Sequence, residues 1–162
     1  MCFVLYVGTS KALPRIPFDK DAPDLSVESL TEFDAAIKQH FTEPEVQYIG
    51  STSGCGCDFP HVTLQGGQWP TFGEDEGYEK DELDVERDTC HRRNQESLLC
   101  MLKKAGDKTV ELYGVWDGGN ENFAKPPQAR EDISAQKLLD SDFAFKEQGF
   151  YRVHLDTKAD SG

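Results

Sequence analysis

Residues 2–7 read Cys2-Phe3-Val4-Leu5-Tyr6-Val7, apolar at every position. A strand with one wet face alternates apolar and polar side chains, whereas an unbroken apolar run bounded by turn residues fits a strand covered on both faces. The run therefore predicts a central strand, with the rest of the chain laid out around it.

Working outward, Pro14, Pro17 and Pro23 cannot donate to a ladder, so that stretch is expected to run extended along an edge. Thr31 with Asp34 three residues on reads as a helix start, and Phe33, Ile37 and Phe41 then recur on one helical face until Pro44 ends it. A second strand, 46–49, runs into Gly50-Ser51-Thr52-Ser53-Gly54-Cys55-Gly56-Cys57, whose small residues permit a tight, irregular backbone. Stretches 61–64 and 68–72 flank Gly66-Gly67 as a hairpin, with Pro70 placing the second arm at an edge. The acidic run 74–88 leads into a helix through Leu98, Leu99, Met101 and Leu102, which stops at Gly106 after Lys103 and Lys104 face its dipole. A strand at 109–116 follows, then a loop through Asp117-Gly118-Gly119-Asn120 and Pro126-Pro127. Ser134 caps a short helix containing Leu138 and Leu139. In a last strand Tyr151, Val153 and Leu155 point one way and Phe150, Arg152 and His154 the other. The expected fold is a single α+β domain over 1–155, a mixed or antiparallel sheet of four to five strands with two to three helices. A polar tail, 156–162, follows it.

The chain has 162 residues, enough for one domain to bury roughly 70% of its unfolded surface. Apolar residues make up 37% and charged residues 29%, which fits neither a membrane span nor a disordered chain. With 30 Asp and Glu against 17 Lys and Arg the net charge is −13, so a nucleic-acid backbone is repelled and a basic protein is the better-matched partner. The opening lacks the basic start and cleavage site of a secretory signal, and the apolar run is too short for a bilayer. Five cysteines cannot all pair within one chain, which fits reduced thiols in the cytoplasm.

The candidate chemistry centres on Cys55-Gly56-Cys57 followed by His61. Two thiolates one residue apart with an imidazole four further on can converge on one soft metal ion such as zinc. A tetrahedral site needs a fourth ligand, which Cys2, Cys90 or His91 would supply. The same cysteines can be read as a thiol-exchange pair, although a disulfide across C-x-C is cramped and Asp58 would oppose a thiolate that it faced. They can also be read as small packed thiols within a glycine turn. Cys2 invites comparison with N-terminal-nucleophile amidohydrolases, but that family's oxyanion donors have no match here. Gly50-Ser51-Thr52-Ser53-Gly54 has Thr where a nucleophile elbow needs Ser, and Gly54-Cys55-Gly56 lacks a third glycine at Phe59 for dinucleotide binding. Tyr48-Ile49-Gly50 matches half of the GIY-YIG nuclease signature, yet the next arginine is Arg87.

The stretch Tyr48-Ile49-Gly50-Ser51 followed by Gly54-Cys55-Gly56-Cys57, together with residues 2–14, resembles a family of small uncharacterised bacterial cytoplasmic proteins that carry a YIGS or YVGS strand followed by GCGC. The resemblance implies that the glycine–cysteine turn is the working part, and brings no activity with it. Two functional classes follow from these readings. One is a cytoplasmic protein with a metal- or thiol-based site at Cys55, Cys57 and His61. The other is a non-enzymatic, acidic interaction module in which the cysteines are only packed. Whether the chain is an enzyme is open at this level.

Overall fold

The computed structural model describes residues 2–62, 68–69 and 82–155. The expected tail at 156–162, the Gly66-Gly67 turn, the end of the 68–72 arm and most of the acidic run lie outside them.

The apolar run forms β1 (Phe3–Thr9), every residue of it buried. It occupies an inner position of a six-stranded sheet. Its neighbours are β3 (Glu45–Gly50) on one side and β6 (Thr109–Trp116) on the other, both antiparallel to it. β2 (Ser26–Ser29) closes one edge against β3. β9 (Gly149–His154) pairs antiparallel with β6, and β7 (Ala129–Ser134) runs parallel to β9 at the far edge, giving the order β2-β3-β1-β6-β9-β7. A small second sheet joins β4 (His61–Val62) to β5 (Gln68–Trp69) as the expected antiparallel arms, and to β8 (Phe145–Lys146) in parallel.

The α+β class is as expected, but the main sheet has six strands rather than four or five. The two unforeseen strands are its edges. Ser26-Val27-Glu28-Ser29 and Ala129-Arg130-Glu131-Asp132-Ile133-Ser134 are largely polar because an edge strand has a wet side, so neither shows an apolar run.

The sheet separates two apolar layers. On one face Phe3, Leu5 and Val7 of β1 join Leu112, Tyr151, Val153 and the helix residues Leu98, Leu99 and Leu102. On the other, Val4 and Tyr6 join Ile37, Tyr113, Val115, Phe123 and Phe150. That alternation along β1 is the two-faced burial its sequence predicts. Helix α1 (Glu82–Lys104) covers the first face and ends at Gly106, whose φ of 77° suits glycine. A short helix, α2 (Asn120–Ala124), lies on the second.

Thr31 and Asp34 do form a local turn, the Thr31 N–H donating to the Asp34 carboxylate at 2.6 Å. The helical segment that follows is a 3₁₀ helix, Ala35–His40, rather than an α-helix over the whole stretch. Ile37 within it is buried, while Phe33, in the turn that precedes it, is 69% exposed. Ser134 caps a second 3₁₀ helix, Ala135–Leu139, accepting from the Lys137 N–H at 3.3 Å. The proline-rich stretch runs along the β2 edge, where Ile16 and Val27 exchange backbone hydrogen bonds at 3.0 and 2.8 Å.

Candidate metal centre

The antiparallel pairing of β1 and β3 brings the start of one strand beside the end of the other, so the turn that follows β3 folds back over the residues that open β1. The glycines permit that approach. Gly54 adopts φ 87°, a conformation that L side chains rarely take. The Gly56 N–H donates to the Phe3 carbonyl at 2.8 Å, and a Cβ at Gly56 would lie 2.8 Å from that same oxygen, closer than real Cβ atoms come. Ser51 anchors the turn from within. It is fully buried, its N–H donates to the Cys55 carbonyl at 2.7 Å, its hydroxyl donates to the same oxygen, and the Asp58 N–H donates to that hydroxyl at 3.3 Å. Tyr48 on β3 donates its hydroxyl to the Gly54 carbonyl at 2.8 Å.

Helix α1 holds the turn from outside through Asn94, which is fully buried. Its side-chain oxygen accepts from the Thr52 N–H at 3.1 Å, and its amide donates to the Thr52 hydroxyl at 3.2 Å and to the Cys90 carbonyl at 2.8 Å. The Thr52 hydroxyl in turn donates to the Asp58 carboxylate at 2.8 Å.

This scaffold places three thiols together. One potential ligand atom from each of Cys2, Cys55 and Cys57 lies within 4.8 Å of the other two, and among the described residues no other group of three or more metal-ligating side chains comes so close. Cys2 is exposed, whereas Cys55 and Cys57 are half-buried, so the cluster is reachable from solvent.

The three sulfurs are not equivalent. Burial works against a charged Cys55. The hydroxyl of Ser53, 3.5 Å from its sulfur, outweighs that together with the thiol and backbone of Cys57 and the thiol of Cys2, and Cys55 sits below the ordinary thiol range. Cys57 is pushed up to about 12, first by burial and then because its own S–H serves Cys55, with the Phe3 backbone working the other way. A soft cation binding the three sulfurs would displace their protons.

His61, expected to be a ligand beside Cys55 and Cys57, is placed elsewhere. Strand β4 carries it into the core, 1% exposed, where its ring stacks on Phe3 with centroids 4.6 Å apart and meets Trp116 edge-on at 5.3 Å. Its Nδ1 lies 2.7 Å from the Phe59 carbonyl, and neither ring nitrogen belongs to the sulfur group. Of the three candidates for a further ligand, Cys2 is the one brought in. Cys90 faces the Thr52 hydroxyl at 3.7 Å and the Asn94 amide at 3.5 Å, and His91 also stands outside the group. Burial holds both His61 and His91 below the ordinary imidazole range; for His91 the nearby His61 adds to it, and Asp58 and Asp88 act against it.

The residues that spacing alone does not reveal are Ser53, Phe3 and Asn94. Ser53, two residues before Cys55, had a local signal, since short hydroxyl side chains commonly bond two residues along the chain. The other two arrive by long-range packing. No protein-family model, curated protein or solved structure matches this chain. No helix among the described residues is long and apolar enough to cross a membrane.

Proposed function

We propose that the chain binds one soft metal ion through the thiolates of Cys2, Cys55 and Cys57. The observation that carries this reading is the convergence of three sulfurs from the start of β1 and the turn after β3, one potential ligand atom from each within 4.8 Å of the others. Thiolate is the form of cysteine that binds metals, and soft ions such as zinc and monovalent copper prefer it. The apolar layers on both faces of the sheet are built from side chains alone, which supports a site added to a finished fold rather than an ion that creates the fold.

The test is elemental analysis of protein purified without an affinity tag, paired with a count of alkylatable thiols before and after a chelator. About one ion per chain, with Cys2, Cys55 and Cys57 protected until the chelator is added, is the expected result. No metal, and three thiols that react freely, overturns it. Thiol exchange is the second reading, favoured by the hydrogen-bonded Cys55 sulfur beside two further thiols. It predicts a fast-reacting Cys55 in metal-free protein and a disulfide from Cys55 to Cys2 or Cys57 after treatment with a disulfide reagent.

A further inference from the structure

Resting on that metal-binding reading, we infer that the site is a three-sulfur site for monovalent copper, with no fourth protein ligand among the described residues. Among the described residues no histidine, aspartate, glutamate or further cysteine joins the group, and the nearest candidates have other positions or tasks. His61 is stacked on Phe3 and edge-on to Trp116 with Nδ1 on the Phe59 carbonyl, and its Nε2, buried and without a hydrogen-bond partner, is still outside the sulfur group. The Asp58 carboxylate accepts from Thr52 at 2.8 Å. Asp117 is tied through its N–H to the Cys2 carbonyl at 2.8 Å, yet its carboxylate too lies outside the group. Cys90 is turned to Thr52 and Asn94.

Three sulfurs without nitrogen or oxygen suit some ions better than others. Zinc in structural sites takes four protein ligands, and in catalytic sites fills its fourth position with water among mostly nitrogen and oxygen donors. Monovalent copper is softer, favours thiolate, and is satisfied by sulfur alone. The exposed Cys2 on one side of the cluster leaves the ion open to attack by an incoming thiolate, so a bound copper ion can leave as it came, by ligand exchange without a change of oxidation state. Copper here is cargo rather than a structural cofactor.

The experiment is an anaerobic competition on the full, reduced chain. Copper is supplied as its bicinchoninate complex, zinc is supplied with a chromophoric chelator, and X-ray absorption is recorded on the loaded protein. The expected result is one copper ion per chain, a shell of three sulfurs without nitrogen, and release of any bound zinc by one equivalent of copper. Cys2→Ser should weaken copper binding at least tenfold with an unchanged far-ultraviolet spectrum. A four-ligand zinc site containing nitrogen or oxygen that copper does not displace overturns the copper inference and leaves the metal reading standing. Copper binding that Cys2→Ser does not weaken overturns the copper inference too, and with it the place of Cys2 in the metal reading, because two sulfurs then suffice. Failure to bind either ion removes both.

Discussion

The imidazole of His61 lies flat on the ring of Phe3, with centroids 4.6 Å apart and 4° between planes. Phe3 meanwhile takes the Gly56 N–H on its carbonyl, so the histidine and the cysteine turn are joined through one residue of β1 without sharing a ligand. His61 supports the floor of the site. His61→Phe should therefore leave metal stoichiometry unchanged by elemental analysis, whereas Cys2→Ser, Cys55→Ser and Cys57→Ser should each cut affinity by one to two orders of magnitude, a loss at least as large as that from removing a supporting partner.

The same burial sets a pH dependence. His61 and His91 have folded-state pKa values below the ordinary imidazole value, so below about 6.5 the unfolded chain takes up protons that the folded chain resists. Their contribution to stability is full above that pH and is lost as pH falls towards the folded values. Urea denaturation of metal-free protein should show a lower midpoint at pH 5.5 than at pH 7.5. His61→Phe should flatten that difference while changing stability at neutral pH by only about 1 kcal/mol, since it trades one hydrogen bond for the removal of a buried nitrogen without a partner.

Gly56→Ala tests the turn itself. The new Cβ would meet the Phe3 carbonyl at 2.8 Å and the Phe3 ring at 3.1 Å, so the turn must move away from β1. A cost of about 1–3 kcal/mol is expected from overpacking. Metal affinity should fall further than stability alone would suggest, because the displacement parts Cys55 and Cys57 from Cys2. Equal metal binding by this variant and the natural chain would show that the turn is not held as described.

Asn94→Ala removes the clamp from α1 and leaves the half-buried Thr52 N–H without its partner, at a cost of about 1 kcal/mol. Asn94→Asp keeps the acceptor for that N–H and should recover part of the loss. Amide hydrogen exchange in residues 51–58 should rise more in the alanine variant than exchange in β6 does, since local opening releases only the turn.

The sequence exposes what is local. The run at β1 is legible because both its faces are apolar, and α1 because its end carries Lys103, Lys104 and Gly106. The glycine–cysteine turn is legible because its dihedral demands are written in its own residues. Edge strands β2 and β7 are hidden by their polar sides, and the 3₁₀ helix at Ala35–His40 is hidden because its apolar spacing also fits an α-helix. In the site, Cys55 and Cys57 are visible as a pair. The choice of Cys2 over Cys90 and His91 is made by strand pairing, which no spacing records, and the inward turn of His61 is made by β4 and the rings that receive it.

The pairing of Leu5 with Ile49 and Gly8 with Val46 fixes which face of β1 each residue presents. A slip of one residue between these strands would carry Cys2 to the opposite face and away from Cys55 and Cys57. On the proposed metal-binding reading the trio of sulfurs is therefore a gauge of strand alignment: a chain whose β1 has docked one place out can be compact and yet hold no ion, so metal retention would sort correctly assembled molecules from misaligned ones after refolding.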